Sequence, residues 1–255
     1  EERAANVVAG PGTGKTTIMK RVYDELTDAG HKVILCAPTG KAAKRIKEAT
    51  GIEAVTIHRL LQYPHPGEID EKTGKPKKLT DPQRDINYPL TEEPRQEKHF
   101  HCNVVLADEY AMVSQELHRN LLDALAGGGC IRVFGDINQL PPVETNKLLA
   151  AKPSPFSHML EKFNGIKLDR IHRQAEGSGI VSNGDRILKR QMPQRLDDFS
   201  LKITDKPIDA LKEFLMDAEA RGVDFASVEN QIIVPGNRIW TGTHKLNATL
   251  QLVFK

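Results

Sequence analysis

The chain has 255 residues, long enough for one large domain or two smaller ones at roughly 150 residues per domain. Its 39% hydrophobic and 27% charged residues, with Gly 19 and Pro 15, are ordinary globular composition and exclude collagen-like or low-complexity disorder. Thirty-six Lys and Arg against 34 Asp and Glu leave a net charge of +2, so no global positive field marks a nucleic-acid partner and any such groove must be local.

Short apolar runs alternate with helix-like stretches along the chain. The runs are Val7-Val8, Val33 to Ala37, Val104 to Ala107, Ile131 to Phe134, Ile166 to Leu168 and Ile232 to Val234, and their alternation predicts an α/β fold, a parallel sheet with crossover helices. The first helix is expected to start at Lys15. Ile18, Val22 and Leu26 share one face, Met19 and Tyr23 lie beside them, and Gly30 stands where a C-terminal cap belongs. Leu117, Leu121, Leu122 and Leu125 mark a second helix. Ile208, Leu211, Phe214 and Leu215 mark a later one, opened by Pro207 at a tolerated first-turn position. The stretch Gln62 to His101 breaks this rhythm with six prolines, seven Lys or Arg and eight Asp or Glu, and reads as an insertion. Within it Lys72 to Lys78 fits either a hairpin tip or a solvated loop.

Cys36, Cys102 and Cys130 lie far apart with no CxxC spacing, which argues against a disulfide framework or a zinc cluster and favours a reducing compartment. His99-Phe100-His101-Cys102 lacks a second ligand cluster at matching spacing, so no metal site is expected there. No apolar run approaches the roughly 20 residues that cross a bilayer, so a soluble, intracellular protein is expected. The chain opens Glu1-Glu2-Arg3, its first Met is Met19, and only Ala4 to Ala9 precede the first motif; the expectation is a piece of a longer protein.

Ala9-Gly10-Pro11-Gly12-Thr13-Gly14-Lys15-Thr16-Thr17 follows a short apolar run and opens an amphipathic stretch. Glycines let the backbone curl so that successive N–H groups point inward at phosphate oxygens, and a helix N-terminus adds partial positive charge. Lys15 would reach the β and γ phosphates and the Thr16 hydroxyl would hold magnesium. Ala9 stands where the strict pattern has its first glycine, and a small residue still permits the turn. Asp108-Glu109 follows Val104 to Ala107, so both carboxylates would emerge at the carboxyl end of a strand, where parallel sheets bind ligands. Asp108 would serve the metal and Glu109 would orient and deprotonate the attacking water. No Asn-Lys-x-Asp guanine-reading element occurs, so adenine is the expected base.

Further strings occur in a fixed order: Ala37-Pro38-Thr39-Gly40-Lys41-Ala42-Ala43, Thr56-Ile57-His58-Arg59-Leu60-Leu61, Asp108 to Val113, Gly135 to Val143, and Leu168 to Gln174. With Ile232 to Arg238 and the following Leu246-Asn247 and Leu250-Gln251, they resemble superfamily 1B DNA helicases of the RecD-like branch, which includes the phage Dda type. The resemblance implies a RecA-like motor domain over 1–165 with a pin-like insertion at 62–101, and the incomplete start of a second RecA-like domain over 166–255, with ATP between them. It implies that Gln139 senses the γ phosphate and that Arg173 acts as an arginine finger, a device worth roughly 10³ to 10⁵ in rate. Arg238 would touch nucleotide or pair across a loop. Pro38, Thr39, Lys41 and His58 would meet single-stranded DNA through amides, a hydroxyl, a charge and a ring. Tyr63, Phe100 and Trp240 are weaker stacking candidates in a chain with few aromatics.

Implied with these are ATP and Mg²⁺ as cofactors, single-stranded DNA and the fork junction as partners, and translocation 5′ to 3′. Further replication or recombination proteins are conceivable partners. A glutamine-bearing motif upstream and two later motifs of the family are not visible, so the 255 residues alone are expected to hydrolyse ATP poorly and not to unwind processively. An RNA helicase shares the same motor chemistry, and a non-catalytic nucleotide-dependent clamp is the other alternative.

Overall fold

The computed structural model describes all residues except 1–3, 11, 64–103, 126–128, 143, 145–146, 169–177, 226, 228–229, 237–238, 240 and 254–255. The chain separates into two compact units, Glu1–Ser178 and Gly179–Lys255.

In the first unit β1 (Ala4–Ala9) leads to α1 (Lys15–Asp28), β2 (Val33–Ala37), α2 (Gly40–Thr50), β3 (Ala54–Thr56) and α3 (Ile57–Leu60). Then come β4 (Val104–Ala107), α4 (Gln115–Ala124), β5 (Cys130–Gly135), α5 (Lys147–Ala150), α6 (Pro155–Lys162) and β6 (Gly165–Leu168). The six strands form one parallel sheet in the order β3-β2-β4-β5-β1-β6. Parallel strands need long crossovers, and those crossovers place helices over both faces, which is why β2 and β4 read as continuous apolar runs.

The two-residue period of a strand divides each run between two cores. Val104 and Leu106 of β4 pack with Leu35 and Ala37 of β2, Val7 and Ala9 of β1, Met19 of α1 and Ile46 of α2. Val105 and Ala107 point to the other face with Ile34, Cys36, Ile131 and Val133, under Leu117 and Leu121 of α4 and Phe156 and Met159 of α6. Burying a side chain of this size contributes roughly 1.5–3 kcal/mol. Phe156 lies so close to Gly135 that a Cβ there would stand 2.9 Å from the ring, which makes glycine a packing requirement at the end of β5.

Five of the six expected runs are strands, and β3 is an addition: three residues are too few to register as a run. Ile232 to Val234 forms no strand among the described residues, and Ile233 is 89% exposed. A short apolar run becomes a strand only where a neighbouring strand takes up its N–H and C=O groups. Ile166 to Leu168, read from sequence as opening a second domain, pair with β1 at the edge of the first sheet. In α1 the centre of the buried face is Met19 (0% exposed), with Val22, Tyr23 and Leu26 beside it and Ile18 at the rim.

The second unit contains α7 (Gly179–Leu188), α8 (Pro207–Ala220) and α9 (Thr243–Val253). Pro207 does occupy the first turn of α8. Asn183 is fully buried and clasps the following loop at both ends of its amide: its Nδ2 donates to Gln194 O at 2.7 Å and its Oδ1 accepts from Gln194 N at 2.7 Å. Among the described residues no helix is long and apolar enough to cross a membrane.

Candidate active site

The loop between β1 and α1 is built by left-handed glycines. Gly12 has φ 74° and Gly14 φ 85°, conformations that cost an L side chain strain and glycine nothing. Thr13 is buried and its Oγ1 donates to Gly10 O at 2.8 Å, so this side chain clasps the loop from within. Gly14 caps α1 without any side-chain hydrogen bond, and the first turn holds no acidic residue. The first-turn N–H groups therefore have no partner within the helix, and they point, with the positive end of the helix dipole, toward the space beyond the loop.

Strand order decides what faces that space. The acids follow β4, which lies two strands from β1 with β5 between them, a lateral offset of about 10 Å at the usual strand spacing. The Lys15 side chain crosses this gap: its Nζ stands 3.0 Å from Asp108 Oδ1 and 3.1 Å from Glu109 Oε2. Asp108 is held by its backbone N–H donating to Cys36 O at 2.9 Å, and its Oδ1 also accepts from Glu109 N at 2.8 Å. Burial pushes the Asp108 carboxyl above the usual carboxylate range; Lys15 opposes the shift and Glu109 adds to it. Glu109 sits in the left-handed region at φ 50°, ψ 39°, unusual for a non-glycine residue and a conformation that concentrates at functional sites. Its Oε2 is buried and accepts no hydrogen bond of good geometry, although the Lys15 ammonium stands beside it.

The strand between them supplies a third element. Where β5 ends, buried Asp136 folds the chain back: its Oδ1 accepts from Asn138 N at 2.9 Å and its carbonyl from Gln139 N at 3.2 Å. This turn sets Gln139 on the wall of a cleft of about 720 Å³, whose lining also includes Gly12, Lys15, Thr16, Asp108 and Glu109. Most of the residues that the sequence marks for nucleotide are thus brought together: Gly10, Gly14 and Thr17 line the same cleft, and Thr13 closes the loop behind them. Pro11, Arg173 and Arg238 lie outside the described residues, as do residues 64–101 of the expected pin, Phe100 and Trp240.

The opposite wall was not legible in the sequence. Ala42, Arg45, Ile46 and Ala49 recur at helical spacing on α2, and this face together with Glu48 lines the cleft. Spacing alone shows that these residues share a face; only the packing of α2 against α1 shows which surface that face meets.

The residues expected to meet DNA lie at the carboxyl ends of β2 and β3, adjacent strands paired through Ala37 and Thr56. Thr39 is exposed and caps α2, its Oγ1 accepting from Ala42 N at 3.2 Å; Lys41 is exposed one residue into the helix, and Pro38 is half-buried. His58, in α3, meets Tyr63 edge-on with ring centroids 4.9 Å apart, and Tyr63 Oη accepts from Asn120 Nδ2 at 2.7 Å. Partial burial moves the His58 imidazole below its ordinary range. Tyr63 therefore packs between His58 and α4.

The donor set suits a triphosphate with a hard divalent cation. The lining offers phosphate one ammonium, the backbone at the start of α1 and the threonines Thr16 and Thr17, while the Thr16 hydroxyl and the Asp108 carboxylate are oxygen ligands of the kind Mg²⁺ takes. The buried Glu109 Oε2 has the Lys15 ammonium at 3.1 Å as its neighbour and no hydrogen bond of good geometry.

The chain matches the family described as AAA domain over residues 1–145. It is 32% identical to the ATP-dependent RecD2 DNA helicase of Deinococcus radiodurans over 259 residues, covering 99% of this chain and 30% of that protein. It is 31% identical to the ATP-dependent DNA helicase dda of Enterobacteria phage T4 over 175 residues, covering 68% of this chain and 36% of that protein. A solved structure of Pif1 helicases, described as concerning DNA unwinding at forked duplex DNA, shares the fold at a TM-score of 0.51 and 22% identity, over 88% of this chain and 54% of that one. The chain spans about a third of the length of the two curated relatives.

Proposed function

Because the chain belongs to the AAA domain family, we propose that it is the ATP-hydrolysing part of a DNA helicase that moves 5′ to 3′ along single-stranded DNA and unwinds duplex. The observation that carries this reading is the Lys15 ammonium held between Asp108 and Glu109 at the mouth of a glycine loop. The DNA helicases among its relatives favour DNA over RNA as the track, and a DNA substrate implies an intracellular setting.

Lys15 would reach the β and γ phosphates, which would lie between the first turn of α1 and the acids. Entry of a triphosphate would draw Lys15 toward phosphate and leave Glu109 with an uncompensated carboxylate. Such a carboxylate would orient a water molecule and take its proton as the water oxygen bonds to the γ phosphorus and the bond to the β–γ bridging oxygen breaks, releasing ADP and phosphate. Thr16 and Asp108 would hold Mg²⁺, which when bound neutralises charge on the phosphate oxygens. Gln139, which follows the strand between loop and acids and lines the same cleft, would sense the γ phosphate. Arg173 would supply an arginine finger and Arg238 a further nucleotide contact.

For coupling to DNA, the proposal uses the common edge of the sheet. Pro38, Thr39 and Lys41 at the start of α2, with His58 on α3, would contact the strand, while the body of α2 lines the nucleotide cleft. A two-part motor, read from sequence as 1–165 and 166–255 but with Gly165–Leu168 belonging to the first sheet, would have residues 62–101 as its separating pin. Opening each base-pair step costs on the order of 1.4 kcal/mol of stacking, which a wedge driven by ATP turnover can supply.

The test uses the full protein. ATP hydrolysis is expected to rise with single-stranded DNA more than with single-stranded RNA, and a duplex with a 5′ tail to be unwound in preference to one with a 3′ tail. Equal stimulation by RNA, or unwinding from 3′ tails, would overturn the substrate or the polarity. Unchanged function on substituting Lys15→Ala would favour a non-catalytic scaffold.

A further inference from the structure

Glu109 holds a left-handed backbone, and its carboxylate meets Lys15, a partner that the proposed reaction takes away. Something else must keep the residue in place. The next residue is Tyr110, which is 0% exposed despite carrying a hydroxyl. A buried phenol needs a hydrogen-bond partner, and Tyr110 Oη has one in His118 Nδ1 at 2.8 Å, with the rings edge-on at 78° and 5.9 Å between centroids.

His118 lies on α4, which is itself firmly started: Ser114 caps it by accepting from Leu117 N at 3.2 Å, and His118 N donates to Ser114 O at 2.9 Å. Between the two rings the chain makes one tight turn, in which Met112 N donates to Glu109 O and Val113 N to Tyr110 O, each at 3.1 Å. Glu109 is thus the first residue of a turn tied at its near end by Tyr110 and at its far end by α4.

We infer that Tyr110 and His118 are positioning residues for hydrolysis, their hydrogen bond pinning the turn that keeps the Glu109 carboxylate in the cleft once Lys15 has moved to phosphate. Neither residue is among those that line the cleft. Their effect passes through the backbone of Glu109. The inference rests on the function proposed above and adds to it a support specific to the water-activating step.

The test measures ATP hydrolysis by the full protein, with affinity for a fluorescent ATP analogue measured on the same samples. Tyr110→Phe removes only the hydroxyl, and His118→Leu removes the partner while filling much of the space. Each is expected to lower kcat about tenfold while KM and analogue affinity stay within about twofold, the pattern of an interaction used only in the transition state. His118→Asn, whose amide can occupy the place of Nδ1, is expected to restore most of kcat. In the double variant Tyr110→Phe/His118→Leu the losses should not multiply, since both substitutions break one bond.

Unchanged kcat in both single variants would overturn the inference. So would multiplicative losses, failure of His118→Asn to rescue, or a parallel loss of analogue affinity, which would mark a merely structural role. A parent protein that neither binds the analogue nor hydrolyses ATP would instead overturn the proposed function.

Discussion

The two units are stabilised in different ways. In Glu1–Ser178 the strands bury side chains on both faces of the sheet, and Leu35, Val105, Leu106 and Leu121 are at most 1% exposed. In Gly179–Lys255 the buried hydrophobic side chains among the described residues are Leu215, Ala218 and Leu246, while Ile187, Phe214, Met216 and Ile233 are more than half exposed. The second unit also has local hydrogen bonds such as the Asn183 clasp. A catalytic constellation needs side chains held to fractions of an ångström, and a close-packed sheet provides that where a loosely covered helical unit does not.

This contrast can be broken or sharpened by substitution. Leu106→Ala removes a side chain from the centre of the sheet and should cost about 2–5 kcal/mol of unfolding free energy, seen as a lower urea midpoint for the first unit. A loss below about 1 kcal/mol would show that the sheet is not the stabilising element.

Acid should separate the units next. Burial, reinforced by His158, lowers the His118 imidazole from its ordinary 6.5 to about 4. The unfolded chain therefore takes up that proton first: the stability is complete above about pH 6.5 and is lost as pH falls toward 4, by about 3 kcal/mol at most. Asp108 has the opposite sign, since its raised carboxyl costs stability as pH rises through its folded value. Comparing urea midpoints of the parent and His118→Asn between pH 7 and pH 4.5 isolates the histidine, and the variant should show the shallower acid loss.

In the second unit Asn183→Ala leaves Gln194 N and O without partners and should cost about 1–3 kcal/mol, measured as faster amide exchange across 190–196 with the first unit unaffected. The smallest effect is expected at Phe214, 56% exposed on α8, where substitution by Ser should change stability by no more than about 0.5 kcal/mol. A loss of several kcal/mol there would mean that this face is covered in solution.

The same contrast explains what was legible in the sequence. The sheet was readable because strands buried on both faces leave unbroken apolar runs, and β2 and β4 are such runs. That Gly10, Gly12, Gly14 to Thr17, Asp108-Glu109 and Gln139 would line one cleft was readable, because the roles proposed for them, phosphate binding, metal binding and water activation, each need a particular residue type at a strand end. β3 was not, since three residues carry no period, and neither was the α2 wall of the cleft, which depends on strand order. Tyr110 and His118 escaped for another reason. A buried tyrosine eight residues before a histidine reads as core until the 2.8 Å bond between them is seen.

The central claim is that the Lys15 ammonium, held between two carboxylates, is the grip for a triphosphate. Calorimetric titration of the protein with ATP and Mg²⁺ tests it most directly, with Lys15→Ala run in parallel. One saturable site in the parent, weakened about 10²-fold or more in the variant, is the expected result. No heat of binding in the parent, or equal affinity in the two proteins, would contradict the account.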